Sequence, residues 1–115
     1  MILKKTKPVA LRLVDEGPTM KRDDILLLLS DFKRNYSEKY GIIEIGIFGS
    51  IARDDARDDS DLDICIKTRT PNPFNLVHIK EDIEQRTKKR VDIVRVREKM
   101  NPFLKTRIEK EAVYV

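Results

Sequence analysis

Three aspartates in the middle of the chain interrupt sequences that are otherwise apolar. Asp61 and Asp63 flank Leu62 at the start of one apolar run, and Asp92 stands inside another. Because alternate side chains of a strand share a side, Asp61 and Asp63 would project together, with Cα atoms about 6–7 Å apart. Like charges this close repel each other, and a magnesium ion, which prefers oxygen ligands, would relieve the repulsion. The pattern predicts a magnesium site, with Asp92 as a third carboxylate if its strand lies beside the first.

The pair Gly49-Ser50, at the end of the preceding apolar segment, offers the complementary chemistry. A strand that ends in such a pair and leads into a helix aims backbone N–H groups beyond its tip, where they can bind phosphate. Gly49 allows close approach, Ser50 adds a hydroxyl donor, and Arg53 one turn later can reach a triphosphate oxygen. A Gly-Ser pair alone is usually a simple turn, and an Asp-rich loop is usually solvated. Together they predict a site for a metal and a phosphate.

A calcium-binding loop is an alternative for the aspartates, because Asp59, Asp61 and Asp63 match the first alternate positions of an EF-hand. The remaining positions do not match. Ile64 stands where that loop needs glycine, and Thr70 stands where it needs a bidentate glutamate. We therefore reject the EF-hand interpretation.

The elements that position these residues follow from hydrophobic periodicity. The pattern predicts helices over residues 21–40, 51–56, 74–88 and 101–111, and strands over residues 42–48, 62–66, 91–96 and 112–115. Gly41 is expected to end the first helix in a left-handed conformation. This order of elements predicts an α/β (α+β) domain with a small mixed sheet flanked by helices. We expect residues 1–19 to form an N-terminal extension, with weak strand-like alternation, and residues 20–115 to form the domain.

Composition limits the class of protein. The 115 residues are 40% hydrophobic and 38% charged, which fits one folded domain and argues against disorder. The longest apolar run, residues 25–29, is too short to cross a bilayer, and the basic N-terminus lacks the apolar core of a signal peptide. A single cysteine excludes an internal disulfide and a zinc cluster built on cysteine pairs. We expect a cytoplasmic protein with no membrane partner.

Three other kinds of reactive side chain are expected to pack or to lie on the surface, without a role in chemistry. Cys65 follows Asp63 by two residues and so points to the same face, where we assign it to packing. His78 is expected on the surface, and Tyr36, Tyr40 and Tyr114 are expected to pack.

Several segments together resemble a known family. The run Gly49-Ser50, ten residues, then Asp61-Leu62-Asp63 resembles the signature of the polymerase-beta-like nucleotidyltransferase superfamily. Within it the chain is similar to the minimal nucleotidyltransferases, small bacterial and archaeal proteins often paired with a HEPN-domain partner. Residues 48–53, 60–64, 90–94 and 108–112 carry the likeness, which spans about residues 21–115. One departure is Asp54-Asp55, where the family more often has Gly-Glu, a change that concerns the local helix geometry and not the metal ligands.

The resemblance implies a nucleotidyltransferase fold and magnesium-dependent transfer of AMP from ATP to a hydroxyl. Asp61 and Asp63 would hold the magnesium that carries the triphosphate, and with Asp92 they would hold a second magnesium. Asp92 would also accept or steer the proton of the acceptor. Gly49 and Ser50 would bind the β- and γ-phosphates. The resemblance further implies that the acceptor is a tyrosine of a HEPN ribonuclease toxin, which makes the protein an antitoxin.

Other functions stay open at this point. The chain could neutralise a partner by binding alone, without catalysis, or it could modify a small molecule or a nucleic acid. A nucleic-acid-binding module is a further alternative, since the net charge is +4. It would use a basic cluster formed by Lys88, Lys89, Arg90, Arg95 and Arg97. That cluster lacks interleaved aromatic residues for base stacking, so we do not expect direct binding of nucleic acid.

Overall fold

The computed structural model describes residues 20–57 and 59–115, and the expected extension over residues 1–19 lies outside this part of the chain. Four helices and four strands follow one another here: α1 (Arg22–Tyr40), β1 (Ile42–Phe48), α2 (Gly49–Ala52), β2 (Leu62–Thr68), α3 (Pro73–Thr87), β3 (Val91–Arg95), α4 (Pro102–Glu111) and β4 (Val113–Tyr114). The strands form one sheet in the order β3-β2-β1-β4. β1 is antiparallel to β2 and β4, whereas β2 and β3 are parallel. The predicted mixed sheet flanked by helices is confirmed.

The sheet buries both of its faces. One face carries the β2 residues Leu62, Ile64 and Ile66, which form the larger core cluster with residues of α1 and α3. Strand residues alternate between faces, so Cys65 points to the other side, where it packs with Phe48 and Ile108 of α4. Asp63 precedes Cys65 by two residues, which places it on the face that α4 covers.

Local sequence signals set the ends of the longer helices, and Gly41 ends the first of them as predicted. The Asp24 carboxylate accepts a hydrogen bond from the Lys21 N–H at the start of α1 (3.2 Å), and Gly41 ends that helix at φ 66°. Asn101 caps α4 by accepting from the N–H groups of Phe103 and Leu104. Proline at the first helical position suits both α3 and α4, because its missing N–H would have no partner there.

The short helix differs from its prediction. It was expected over residues 51–56, but α2 begins at Gly49 and ends at Ala52. Asp54 stops it, because this residue adopts the left-handed region at φ 63°. Glycine enters that region without steric cost, so the Gly-Glu sequence that the resemblance implies here would suit the same turn.

Other boundaries differ from the prediction by one or two residues: α3 begins at Pro73 and β3 ends at Arg95, for example. β2 continues two residues beyond its predicted end, to Thr68, because Thr68 pairs with Ile42 at the start of β1. α3 ends at Thr87, since Lys88 takes a left-handed conformation at φ 58°.

Among the described residues, no helix is long and apolar enough to cross a membrane.

Candidate active site

Two of the three aspartates lie side by side at one end of the sheet face covered by α4. Asp63 and Asp92 are register partners on the parallel strands β2 and β3. Asp61 lies immediately before β2, whose first N–H, that of Leu62, donates to the carbonyl of Arg90 at 2.8 Å. The condition set by the sequence, that the Asp92 strand lies beside the Asp63 strand, is thus met.

Asp63 is the most perturbed of these carboxylates. It is partly buried, and burial raises its pKa above the ordinary value. The negative charges of Asp92, Asp61 and Glu111 raise this pKa further, while the Arg107 guanidinium opposes them. A carboxylate in this setting gains from an additional positive charge beside it.

The Gly-Ser turn touches Asp63 directly. Gly49 has φ 78°, a backbone conformation that side chains rarely adopt, and a Cβ atom at this position would overlap the Asp63 carboxylate. Glycine is therefore required at position 49 for two reasons, the backbone conformation and the close approach. The predicted phosphate-binding turn and the predicted metal ligand are packed against each other.

The N–H group of Gly49, at the start of α2, donates to a side chain of α4. The first N–H groups of a helix have no partner within the helix. That of Gly49 donates to Oε1 of Glu111 at 3.1 Å. Ser50, which is partly buried, is the next residue of the turn. The Gly49 N–H that was predicted to face a phosphate is therefore already paired with a side chain of the protein.

Arg53 lies at the end of α2 with its side chain 45% exposed. Its Nε is 3.2 Å from Oδ2 of Asp55, and its Nη1 is 3.2 Å from Oε2 of Glu111. The guanidinium is thus tethered on two sides beside the Gly-Ser turn.

Sequence reasoning missed Glu111 and Arg107 as members of this site. They lie one turn apart on α4, where Arg107 Nη2 is 3.7 Å from Oε1 of Glu111. The Arg107 guanidinium also lies over the Phe48 ring, 5.5 Å from its centroid. The signal in the sequence was the closing segment 108–112, which was linked to the family without a role. Only the fold brings that segment next to Gly49.

The donor set suits a hard divalent cation. Asp61, Asp63 and Asp92 offer carboxylate oxygens, and burial together with the neighbouring negative charges raises the pKa of Asp63. Within residues 20–57 and 59–115, no group of three or more acidic, histidine or cysteine side chains is arranged to hold a metal ion by itself. Magnesium commonly uses one or two carboxylates together with phosphate oxygens and water. These residues therefore fit an ion that arrives with a nucleotide.

The other candidate side chains are buried, exposed or hydrogen-bonded within the fold. Cys65 is fully buried, and burial raises the pKa of its thiol, which makes a poor nucleophile. His78 is exposed on α3, as expected. In the basic cluster, Arg95 donates from Nε to Oγ1 of Thr68 at 2.7 Å, so it serves to join β3 to β2.

The fold and the residues at this site define a nucleotidyltransferase. The sequence model of the nucleotidyltransferase domain matches residues 29–115. The chain belongs to this family of enzymes, and within it to the minimal nucleotidyltransferases.

Individual relatives agree with this assignment. Protein adenylyltransferase MntA of Thermococcus cleftensis is 33% identical over 94 residues, which cover 81% of this chain and 94% of the relative. A solved structure assigned as a minimal nucleotidyltransferase superposes with a TM-score of 0.67 at 28% identity, covering 84% of this chain and 98% of the other. The fold is also that of a Shewanella oneidensis antitoxin solved with its tri-AMPylated HEPN toxin. That match has a TM-score of 0.61 at 15% identity and covers 81% and 70% of the two chains.

Proposed function

We propose that this enzyme transfers AMP from ATP to a hydroxyl of a partner protein, with magnesium as its cofactor. The observation that carries the proposal is the register pairing of Asp63 with Asp92 beside a Gly-Ser turn packed on Asp63. This arrangement sets carboxylates for a cation next to donors for a phosphate. The close relationship to a protein adenylyltransferase supports AMP as the transferred group.

The residues have separate roles in the proposed reaction. Asp61 and Asp63 would hold the magnesium bound to the triphosphate, and with Asp92 they would hold a second one. Bound magnesium would neutralise the phosphates and lower the pKa of the attacking hydroxyl. Ser50 and the Gly-Ser turn would bind the β- and γ-phosphates, and Arg53 would contribute its remaining N–H donors.

The bond changes follow from these positions. The acceptor oxygen attacks the α-phosphorus, the bond from that phosphorus to the bridging oxygen breaks, and pyrophosphate leaves. Asp92 accepts or steers the acceptor's proton, since it is an exposed carboxylate paired in register with Asp63. The chain performs no covalent chemistry of its own, so the rate depends on positioning and on charge neutralisation.

The proposed acceptor is a tyrosine of a HEPN-type toxin, which AMP attachment would silence. The described residues form one small sheet with its helices, so a separate protein is expected to bring the acceptor hydroxyl. The fold shared with antitoxins of HEPN complexes makes such a toxin the first partner to test.

The test uses purified protein, a HEPN partner encoded beside it, magnesium, and ATP labelled at either the α- or the γ-phosphate. We expect label to reach the partner from the α position only, and Asp92→Asn to abolish the transfer. Asp59→Asn, which changes an exposed acid in the loop before β2, is the matched control and should transfer normally. Transfer from the γ position would mean a kinase reaction and would refute the proposal.

A purely binding antitoxin gives a different result. If the partner stays unlabelled and is still neutralised by both the wild type and Asp92→Asn, the protein masks its partner without catalysis.

A further inference from the structure

Glu111, the last residue of α4, contacts three groups around the Gly-Ser turn. Its carboxylate accepts from the Gly49 N–H at 3.1 Å and lies 3.2 Å from Nη1 of Arg53. The same carboxylate is 3.7 Å from Nη2 of Arg107. We call Gly49, Arg53, Arg107 and Glu111 the Glu111 cluster. The side chain of Glu111 is only 21% exposed, so its carboxylate belongs to the interior of the site and not to the solvated surface.

The backbone around Glu111 is held to the strand that leads into the turn. β4 follows at once, and its residues Val113 and Tyr114 pair with Ile47 and Gly46. A Cβ atom at position 46 would lie 2.9 Å from the Cα of Tyr114, so the two strands are as close as they can be. Glu111 thus lies two residues before β4, which is paired with β1, and β1 ends at Phe48 immediately before Gly49. The backbone of Glu111 is therefore held within reach of the turn, where its carboxylate accepts from the Gly49 N–H.

The same carboxylate orients both arginines. Arg53 uses Nη1 toward Glu111 and Nε toward Asp55, which are two of its five N–H donors. These two contacts fix the plane of the Arg53 guanidinium, and so they also fix the direction of its remaining N–H groups. Arg107 is drawn to Glu111 on one side and attracts the charge of Asp63 on the other. One acidic side chain therefore holds two cations beside the turn.

We infer that Glu111 is a positioning residue for the triphosphate, which fixes the Gly-Ser turn against Asp63 and orients Arg53 and Arg107 toward the phosphates. The inference rests on the proposed function, because it assigns the nucleotide to this site. It differs from a gate, in which the Glu111 carboxylate would occupy the place of a phosphate and leave when ATP binds.

The first experiment compares Glu111→Ala and Glu111→Gln with the control Glu109→Gln, an exposed glutamate on the same helix. We expect Glu111→Ala to lower kcat by about tenfold to a hundredfold, the usual range for a lost charged hydrogen bond. Glutamine retains an acceptor for the Gly49 N–H but not the charge for the arginines, so its kcat should be intermediate. Glu109→Gln should be unchanged. Rates are expressed per folded molecule, from thermal unfolding curves of each variant.

Binding of ATP with magnesium separates positioning from gating. Titration calorimetry should give a Kd for Glu111→Ala that is equal to the wild-type value or weaker. A Kd that becomes tighter, with a lower KM, would show that the carboxylate competes with phosphate and would overturn the inference. A loss of activity fully explained by the unfolded fraction would also overturn it, because Glu111 would then be only structural.

A spectroscopic readout keeps the test independent of turnover. The chain has four glycines, and Gly49 is the one that follows a phenylalanine, so labelled phenylalanine carbonyls and glycine nitrogens identify its amide signal. We expect that signal to move in Glu111→Ala and to stay in Glu109→Gln. An unmoved signal would refute the contact with Glu111. If the wild type neither binds ATP nor transfers AMP, the proposed function fails, while this spectrum still reports whether Glu111 holds the turn.

Discussion

Gly49 and Asp63 are packed so closely that a Cβ atom on residue 49 would overlap the Asp63 carboxylate. The contact joins the end of β1 to the beginning of β2, two strands that pair through Phe48 and Asp63. It explains why glycine precedes the serine in this turn. A bound phosphate and the carboxylates that hold its cation must lie within a few ångströms of each other, and any larger residue would separate them.

Gly49→Ala should therefore damage both the fold and the site. The left-handed backbone alone costs a non-glycine residue about 1–2 kcal/mol, and the overlap with Asp63 adds to this cost. Gly41→Ala is a matched control, since Gly41 has a similar φ of 66° but a Cβ there would make only ordinary contacts of 3.7 Å or more. Chemical denaturation should show a larger loss of stability for Gly49→Ala than for Gly41→Ala. Equal losses would mean that the Asp63 contact has no energetic weight.

Asp63→Asn should stabilise the metal-free protein at neutral pH while it abolishes transfer. The pKa of Asp63 is raised in the folded state, so the charged form is disfavoured there relative to the unfolded chain. The wild type consequently loses stability as the pH rises from the unfolded value of about 4 through the folded value. At pH 7 the thermal midpoint of Asp63→Asn should exceed that of the wild type. The difference should vanish below both pKa values.

Magnesium with ATP should reverse this order of stabilities. A ligand that binds only the folded state raises stability as its concentration exceeds the Kd. The midpoint of the wild type should therefore rise on addition of the pair, while that of Asp63→Asn should not. A rise of the same size in both would show that Asp63 does not hold the cation. Asp59→Asn again serves as the control, and its midpoint should rise like that of the wild type.

Asp54→Gly should stabilise the protein by about 0.5–1 kcal/mol. Asp54 adopts φ 63°, and glycine removes the steric cost of that conformation at some expense in chain entropy. Asp54→Ala keeps the strain and should give no gain. Lys88→Gly, at φ 58° after α3, should give a similar increase. Urea unfolding of the three variants measures these differences directly, and no gain at either position would argue against the left-handed conformations.

Much of the fold was predictable because its signals are local. Helical periodicity and Gly41 define α1, and alternating isoleucines define β2. The turn after Ala52 was not predictable, because aspartate carries no strong preference for the left-handed region that Asp54 adopts. The predicted end of β2 was two residues short, since its last pairing depends on Ile42, which lies on another strand.

The site was predictable where its residues carry a chemical pattern. Asp61, Asp63 and Asp92 are conspicuous because carboxylates are unusual beside apolar strand residues. Glu111 and Arg107 carry no such mark, since charged residues one turn apart are common on exposed helices. Their proximity to Gly49 depends on the packing of α4 and on the pairing of β4 with β1.

The most direct test of the central claim is the intact mass of the HEPN partner after incubation with the enzyme, ATP and magnesium. The account predicts that the partner gains the mass of one or more AMP groups, that the modified side chain is a tyrosine, and that Asp92→Asn leaves the mass unchanged. A gain of phosphate alone, or a partner that is silenced with its mass unaltered, would contradict it.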